Sequence, residues 1–399
     1  MLVVPNEWPT KRRRLEVLFG LFVFFASFRS STAADCRFLY DCFSCASAMD
    51  GILPCHWCVS TGTCGNSLQQ LGCSSFMRVE FAYNCPLSPR TEFAYVDVFA
   101  RSRALPFISA ANAKTPQMMN DCLAANIPGV VIRRSFEVPC DPVCSFCLGY
   151  VAYSPNDNAV VLTFRSTNSD QQLLLEALHF IFYAQKDFYP VGGKVVAYFH
   201  DAFYALWNTG LEREFENALQ AYPNAEVWVF GHSLGGSLAS LAAAFIARMR
   251  LVDANRLKFV SFGQPRTGDL TYAMIFDALV PHKYRVVHQG DFITKTPFRL
   301  PLFNQISFTH HRFEVFYPNE MTASDAYIVC PRAEDAVCSE SVPDSLDFSN
   351  HRHYFNTSLS EWPKVGCLAP LSGANYPAIQ PVQSFGNQID GGYVQTTRG

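Results

Sequence analysis

The sequence has 399 residues, of which 49% are hydrophobic and 16% are charged. This composition is typical of a folded globular protein and excludes a mainly disordered chain, and the length allows one large domain with a small accessory module. The formal net charge of −3 provides no broad basic surface, so we expect no nucleic-acid partner.

The N-terminal residues have the order of a secretory signal. Basic residues 11–14 precede an apolar run over residues 17–28, and small residues follow. An apolar run of 12 residues is too short to span a bilayer, which takes about 20. The pattern therefore predicts a signal peptide over residues 1–34, a secreted chain, and no transmembrane span after cleavage near Ala33 or Ala34. An uncleaved membrane anchor is the alternative.

Cysteines are concentrated directly after this signal. The sequence has 15 cysteines, eight of which lie between Cys36 and Cys85. A segment this short buries too little apolar surface to fold unaided, so it predicts a small disulfide-rich module over residues 35–86 in an oxidising compartment. The number of cysteines leaves the pairing open.

One part of this module resembles a known type of domain. The run Cys55-His56-Trp57-Cys58 is similar to the central Cys-x-Trp-Cys of plexin-semaphorin-integrin modules. That resemblance implies an interaction role with a protein partner rather than chemistry. A zinc site is the alternative because paired cysteines are also a metal-ligand spacing, but in an exported chain we expect disulfides and no metal.

The remaining chain divides into three segments. Residues 87–114 show no clear period and are interpreted as a linker, and residues 115–367 are interpreted as the main domain. The tail at residues 368–399 is rich in Pro, Gly, Asn and Gln with little periodicity, so we expect it to be flexible.

The main domain alternates strand and helix patterns. The predicted strands cover residues 158–164, 226–230, 257–262 and 284–288, and the predicted helices cover residues 202–222, 234–249 and 270–279. The first of these strands is apolar along its whole length, which is typical of a strand buried on both faces. The alternation indicates βαβ units and an α/β fold with a mostly parallel sheet.

A nucleophile-elbow pattern lies between one of these strands and the helix after it. Gly231-His232-Ser233-Leu234-Gly235 reads Gly-x-Ser-x-Gly, and a sharp strand-to-helix turn presents the serine hydroxyl at the end of the sheet. The N-terminus of the helix offers free N–H groups to a developing oxyanion. We therefore predict Ser233 as a catalytic nucleophile and the Leu234 N–H as an oxyanion donor.

A serine nucleophile needs a base and an orienting carboxylate. Asp291 follows the predicted strand at residues 284–288, at the carboxyl end of the strand where α/β active sites collect. Asp269 and Asp277 are the alternatives, although one precedes a helix and the other lies within it. The histidines after Asp291, among which spacing alone does not choose, are His310, His311, His351 and His353.

Three ordered segments resemble the class 3 lipases of fungal type over roughly residues 115–367. They are Phe-Gly-His-Ser-Leu-Gly-Gly at 230–236, Phe-Gly-Gln-Pro-Arg-Thr-Gly at 262–268 and Gln-Gly-Asp at 289–291. The resemblance implies an α/β-hydrolase fold with helices flanking the sheet, a lipid ester substrate at a lipid–water interface, and no cofactor.

The same resemblance selects a histidine. Asn350-His351-Arg352-His353-Tyr354-Phe355 is similar to the family's Asp-His-x-x-Tyr-Phe segment, which implies His351 as the base, with an asparagine in place of the preceding acid. His353 is the alternative. His310 resembles a structural histidine of the family.

The loop after the first strand also has a counterpart in the family. Phe164-Arg165-Ser166-Thr167 resembles Phe-Arg-Gly-Ser/Thr, which implies Thr167 as the second oxyanion donor and places Ser166 where the family has glycine. The apolar stretch at residues 171–182 follows at the position of the family's lid. An ordinary core helix is the alternative for that stretch.

Disulfides and one glycosylation site are expected in the main domain. The resemblance implies a Cys330–Cys338 bridge and a link from Cys367 to Cys122 or Cys140. Seven cysteines lie outside the N-terminal module, so one of them is expected to be free or intermolecular. Residues 356–358 read Asn-Thr-Ser, which is a glycosylation sequon close to His351.

The sequence thus predicts a secreted serine esterase or lipase that hydrolyses carboxylic esters of lipids, above all acylglycerols. One alternative is a phospholipid or soluble-ester hydrolase. The other, of a different class, is a catalytically inactive secreted lipid-binding or interaction protein on the same fold, which Ser166, Asn350 and the cysteine module favour.

Overall fold

A computed structural model describes most of the chain. The described residues are 35–140, 146–165, 184–297, 308–343, 348–368, 387–389 and 392–395. The molecule divides into two compact units, Met1–Ala82 and Tyr83–Gly399. The predicted signal peptide lies outside the described residues. Across the described part of the chain, no helix combines the length and the hydropathy needed to cross a membrane.

Short elements held by disulfides make up the first unit. They are helix α1 Cys42–Ala46 and strands β1 Met49–Asp50, β2 Leu53–Cys58, β3 Thr63–Asn66 and β4 Arg78–Val79. The bridges that hold them include Cys36–Cys55, Cys45–Cys64 and Cys58–Cys73. Cys36, Cys45, Cys55 and Cys64 are buried together in the core of this unit, which confirms the predicted disulfide-rich region.

The second unit is built on a large sheet. Its strands are β5 Val131–Pro139, β6 Phe146–Ser154, β7 Ala159–Arg165, β8 Gln185–Asp187, β9 Lys194–Val196, β10 Glu226–His232, β11 Leu257–Phe262, β12 Gly268–Asp269, β13 His282–His288, β14 Phe308–Thr309, β15 Glu314–Tyr317, β16 Tyr327–Cys330, β17 His353–Tyr354, β18 Thr357–Ser358, β19 Asn387–Ile389 and β20 Gly392–Gln395. Ten strands form one sheet in the order β19-β20-β16-β15-β13-β11-β10-β7-β6-β5. A smaller sheet has the order β14-β12-β9-β8, and β17 pairs with β18.

The centre of the large sheet is parallel. Strands β7, β10, β11, β13 and β15 run in one direction, and antiparallel strands extend the sheet on both sides. The carboxyl ends of the central strands therefore meet at one edge, where the predicted site residues follow them.

Helices cover both faces of this sheet. They are α2 Asp97–Phe99, a π-helical segment Ala100–Ala104, α3 Leu105–Ala110, α4 Pro116–Asn126, α5 Ala197–Leu206, a second π-helical segment Trp207–Leu211, α6 Glu212–Ala221, α7 Leu234–Arg248, α8 Leu270–Leu279 and α9 Ser349–Arg352. One core contains Leu162 with Leu238 of α7, and the other contains Val161 with Phe107 of α3. All seven residues of β7 are buried, which confirms the prediction of a strand buried on both faces.

The predicted helix at residues 202–222 is divided in the structure. It begins earlier, at Ala197, and is interrupted by the π-helical segment that contains Gly210. Gly210 has a φ of 123°, which an α-helix does not admit and which glycine adopts without steric cost. The remaining predicted strands and helices of the main domain are found within a few residues of their expected bounds.

Residues 87–114 do not form an irregular linker. Residues 97–110 are helical, and Phe99, Leu105 and Phe107 are buried in the core against the sheet. This helical run is buried on almost every side and so lacks the polar face that produces an amphipathic period. The interpretation as a linker was therefore wrong for this segment.

The C-terminal tail also contains regular structure. Strands β19 and β20 pair with each other, and β20 pairs with β16 at the edge of the large sheet. An edge strand offers unpaired backbone groups to any extended segment, so this pairing needs no side-chain period. The expectation of a flexible tail does not hold for these two strands.

The second unit has its own disulfides. Cys122–Cys367 and Cys330–Cys338 confirm the bridges that the resemblance implied, and Cys140 pairs with Cys147. Cys144, the seventh cysteine outside the N-terminal module, lies outside the described residues. The expectation of one unpaired cysteine stays a prediction.

Candidate active site

Ser233 lies on a strained turn between β10 and α7. Its φ of 56° and ψ of −133° are unusual for a residue with a side chain. The turn is crowded, since a Cβ on Gly231 would lie 2.1 Å from the Gly235 carbonyl oxygen and a Cβ on Gly235 would lie 2.5 Å from the Phe164 carbonyl oxygen. The two glycines of the pattern are therefore required by close backbone contacts, and the strand and helix predicted around Ser233 are present.

The structure brings Ser233, His351 and Asp291 together. His351 Nε2 lies 2.8 Å from Ser233 Oγ, and His351 Nδ1 lies 2.9 and 3.0 Å from the two carboxylate oxygens of Asp291. Their exposed fractions are 7%, 3% and 1% in that order. The fold therefore joins His351 by hydrogen bonds to Ser233, 118 residues away in the sequence, and to Asp291, 60 residues away.

Asp291 accepts further hydrogen bonds. Tyr354 donates its hydroxyl to Oδ2 at 2.8 Å, and the Ile293 N–H donates to Oδ1 at 3.1 Å. Burial alone would raise the pKa of Asp291, but the His351 imidazole and the hydrogen bonds from His351 and Tyr354 outweigh burial and hold that pKa below its usual value. The ionised carboxylate only accepts, so His351 Nδ1 carries a proton and Nε2 is left to accept the Ser233 proton.

Two further residues, Tyr354 and Gly263, belong to this site and were not predicted from the sequence. Tyr354 stacks on Phe262, with ring centroids 5.0 Å apart, and burial together with the nearby Asp291 charge raises its pKa well above the usual value. Its hydroxyl therefore remains a donor. Gly263 has a φ of 56°, and a Cβ there would lie 2.8 Å from Asp291 Oδ2 and 2.9 Å from His351 Nδ1. Both lie in segments that carried the family resemblance, which was the available signal.

Of the two predicted oxyanion donors, Leu234 lies within the described residues and Thr167 does not. Leu234 begins α7, so its N–H is among the first donors of the helix, which have no intrahelical acceptor. The end of β7 packs on this turn through the contact between Phe164 and Gly235. Thr167, Ser166 and the lid stretch at residues 171–182 lie outside the described residues.

The alternative acids have other partners. Asp269 caps α8 by accepting the Tyr272 N–H at 2.8 Å. Asp277 accepts the Tyr83 hydroxyl at 2.8 Å and forms an ion pair with Lys283 at 3.7 Å.

The other late histidines are likewise engaged elsewhere. His310 is buried and donates from Nε2 to the Thr294 carbonyl at 2.7 Å, in agreement with a structural role. His311 stacks on Phe276 with centroids 4.1 Å apart. His353 is exposed and donates to the Ser349 carbonyl at 2.9 Å.

Two clusters of metal-ligand side chains occur among the described residues, and neither involves the site. They are Cys36, Cys55 and Cys64, and Glu314, Cys330 and Cys338. The cysteines in both are disulfide-bonded, so they have no thiolate to offer.

Comparisons with known proteins show which family the chain resembles. Residues 161–300 match the family model for lipase (class 3). Lipase ZK262.3 of Caenorhabditis elegans is 34% identical over an alignment of 290 residues, and the match covers 65% of this chain and 79% of that protein. The secreted mono- and diacylglycerol lipase A of Penicillium cyclopium is 24% identical over 238 residues, or 59% of this chain and 73% of that protein.

A solved structure gives independent support for the fold. The lipase from Rhizopus microsporus var. chinensis superimposes with a TM-score of 0.57 at 23% identity, covering 67% of this chain and 91% of that one. This likeness confirms the predicted α/β-hydrolase fold. Taken with the family model and the nematode relative, it shows that the chain belongs to the class 3 lipase family and is a carboxylic ester hydrolase of that type.

Proposed function

We propose that this protein is a secreted serine lipase that hydrolyses acylglycerols through Ser233, His351 and Asp291. The observation that carries the proposal is the distance of 2.8 Å between His351 Nε2 and Ser233 Oγ, with Asp291 on the opposite ring nitrogen. An acceptor nitrogen at that distance can take the serine proton as the hydroxyl attacks a carbonyl.

The roles follow from the positions of the atoms. Ser233 Oγ attacks the ester carbonyl while its proton passes to His351 Nε2. The alkoxide then leaves with that proton, and a water molecule, activated in the same way, releases the acid from the serine. Asp291 holds the imidazole by Nδ1 and stabilises its cationic form. The Leu234 N–H, with Thr167 as second donor, stabilises the tetrahedral oxyanion.

Exchange of Ser233 tests this mechanism. We expect Ser233→Ala to fold normally and to lose nearly all turnover of a soluble p-nitrophenyl ester, because no nucleophile remains. Ser237→Ala is a matched control on the first turn of the same helix, where the hydroxyl contacts Thr267 at 2.9 Å and takes no part in the reaction. Turnover by Ser233→Ala comparable to wild type would contradict the proposal. Failure of the wild type to react with a fluorophosphonate probe would instead favour a non-catalytic binding protein.

The preference for acylglycerols is the finer part of the proposal. It is supported by the similarity to the Penicillium relative, which is named as a mono- and diacylglycerol lipase. Hydrolysis rates for mono-, di- and triacylglycerols should exceed those for phosphatidylcholine of the same acyl chain. A faster rate on the phospholipid would replace this substrate class with the alternative one.

Three observations support secretion. Residues 1–34 contain a basic, an apolar and a small-residue segment in the order typical of a secretory signal. Both units contain disulfides. The Penicillium relative is named as a secreted lipase. Intact mass of the protein from culture medium tests this, and a mature chain that still begins at Met1 would contradict cleavage. Asn356 is exposed in the turn between β17 and β18, and its glycosylation stays a prediction.

We also propose that the cysteine-rich module over residues 35–86 serves interaction and takes no part in the chemistry. Several of its large apolar side chains are exposed, including Tyr40 at 81% and Ile52 at 91%. The double exchange Tyr40→Ser with Ile52→Ser should leave kcat for a soluble ester unchanged. A large fall in kcat would contradict the proposed division of roles.

A further inference from the structure

His351 lies in a segment with little secondary structure of its own. Helix α9 has four residues and β17 has two. Such short elements have no cooperative stability in isolation. The position of the His351 backbone must therefore be set by contacts with the rest of the fold.

His288, at the end of β13, makes two of these contacts. Its Nδ1 lies 2.6 Å from the His353 carbonyl oxygen and 3.2 Å from the Asn350 carbonyl oxygen. Carbonyl oxygens only accept, so Nδ1 carries the proton. The ring is 3% exposed, and among the described residues its Nε2 has no hydrogen-bond partner. The Nδ1–H of His288 therefore donates to the backbone of the segment that carries His351.

His232, at the end of β10, makes the third contact. Its Nε2 lies 2.7 Å from the carbonyl oxygen of His351 itself, and the two rings lie 4.6 Å apart. Burial and the neighbouring His351 lower the pKa of His232 to about 3. It is therefore neutral at physiological pH, with its proton on Nε2.

We infer that His232 and His288 are a pair of positioning residues that clamp the backbone on both sides of the catalytic imidazole. The inference rests on the proposed function, because it assigns them to hold the proposed base. Their donors occupy the carbonyls of residues 350, 351 and 353, so the segment is held at three points within four residues.

The positions of His232 and His288 explain how the three triad side chains are held in fixed positions relative to one another. His232 directly precedes Ser233 on the same strand end. The carbonyl of His288 accepts the Asp291 N–H at 3.1 Å. Each strand that supplies one member of the triad therefore also holds the segment that supplies the third. A displacement of about 1 Å in such a site can cost roughly 100-fold in rate, so the clamps act on turnover rather than on substrate binding.

A pair of nearly isosteric variants at His288 tests this inference. In His288→Asn the amide nitrogen takes the place of Nδ1 and keeps a donor, whereas His288→Leu has similar size and no donor. With p-nitrophenyl butyrate as substrate, we expect His288→Leu to lose about 10- to 100-fold in kcat with KM within about twofold of wild type. We expect His288→Asn to recover kcat to within about threefold of wild type. Wild type and Ser233→Ala are measured beside them, and thermal unfolding confirms that each variant is folded.

Different results overturn different claims. A leucine variant with wild-type kcat, or equal losses in the leucine and asparagine variants, overturns the clamp and leaves the proposed function intact. An inactive wild type, or an active Ser233→Ala, overturns the proposed function instead. If His288→Leu does not fold, the comparison moves to His232→Gln, which keeps a donor at the Nε2 position, and His232→Met, which has none. Equal kcat in those two variants would then overturn the clamp.

Discussion

The carboxylate of Asp291 is surrounded by three donors, from His351, Tyr354 and the Ile293 backbone. These donors satisfy a charge that burial alone would make costly. At the scale of single residues, the position of Asp291 after a strand predicted the acid, whereas the family resemblance implied which histidine would be its partner. It did not predict Tyr354, because the role of that hydroxyl depends on a contact across 63 residues of sequence.

Removal of the Tyr354 hydroxyl should therefore weaken catalysis. A hydrogen bond to a charged group contributes about 1.5 kcal/mol or more, so we expect Tyr354→Phe to lower kcat for a soluble ester by about tenfold. Tyr150→Phe is the control, because that buried hydroxyl donates to the Phe107 carbonyl at 2.7 Å, away from the site. It should lower the melting temperature and leave kcat unaltered. Equal kcat in wild type and Tyr354→Phe would show that the hydroxyl does not support Asp291.

A buried histidine should make stability depend on pH. Burial, with Lys258 nearby, lowers the pKa of His282 to about 3 in the fold, against about 6.5 in the unfolded chain. Between these values only the unfolded chain binds the proton, so the free energy of unfolding decreases as pH falls from about 6.5 toward 3. We expect His282→Gln to flatten this dependence, measured by urea unfolding at pH 7, 5.5 and 4. Parallel curves for variant and wild type would contradict the assignment.

At the scale of elements, patterns with a clear period were predicted well. The strand before Ser233 and the helix after it lie where the sequence placed them, because a short run of β-forming residues that ends at a glycine favours a strand and the longer apolar run after it favours a helix. Residues 97–110 were misread because a helix buried on nearly all sides has no polar face to mark it. The interruption at Gly210 was also missed, because a single glycine does not by itself indicate a break.

The turn around Ser233 should not tolerate a methyl group at Gly231. The added Cβ would lie 2.1 Å from a backbone oxygen of the next helix, and backbone cannot move aside without displacing the nucleophile. We expect Gly231→Ala to lower the free energy of unfolding by more than about 3 kcal/mol and to abolish ester hydrolysis. Gly72→Ala is the matched control, since nothing lies within 4 Å of the added atom. An active, stable Gly231→Ala protein would contradict the described turn.

At the scale of the whole molecule, the second unit is closed by a covalent link between distant segments. Cys122 and Cys367 are 245 residues apart, whereas Cys330 and Cys338 are 8 apart. Closing a long loop removes more freedom from the unfolded chain than closing a short one. The long bridge joins α4 to the segment after Trp362, on the sheet face that also holds the helical run at residues 97–110.

Loss of the long bridge should cost the most stability. We expect the double exchange of Cys122 and Cys367 to serine to lower the free energy of unfolding by about 5 kcal/mol, and the same exchange at Cys330 and Cys338 by about half as much. Denaturant unfolding of both variants under non-reducing conditions measures the difference. A larger loss from the short bridge would contradict this order.

The sequence by itself determined the elements whose information is local. Apolar period, glycine placement and the elbow pattern predicted the central strands, the helix after Ser233 and the position of Asp291 at a strand end, because each depends on neighbours within a few residues. The choice among the four histidines came from family resemblance, because the spacing of residues along the sequence does not show which histidine lies close to Ser233 in the fold. Only the tertiary structure decided that His351 meets Ser233 and that Tyr354 and Gly263 surround Asp291. It also decided that the imidazoles of His232 and His288 contact the backbone around His351. The hydrogen bonds among these residues join segments 60 to 119 residues apart, and they form only when the sheet brings its strand ends together.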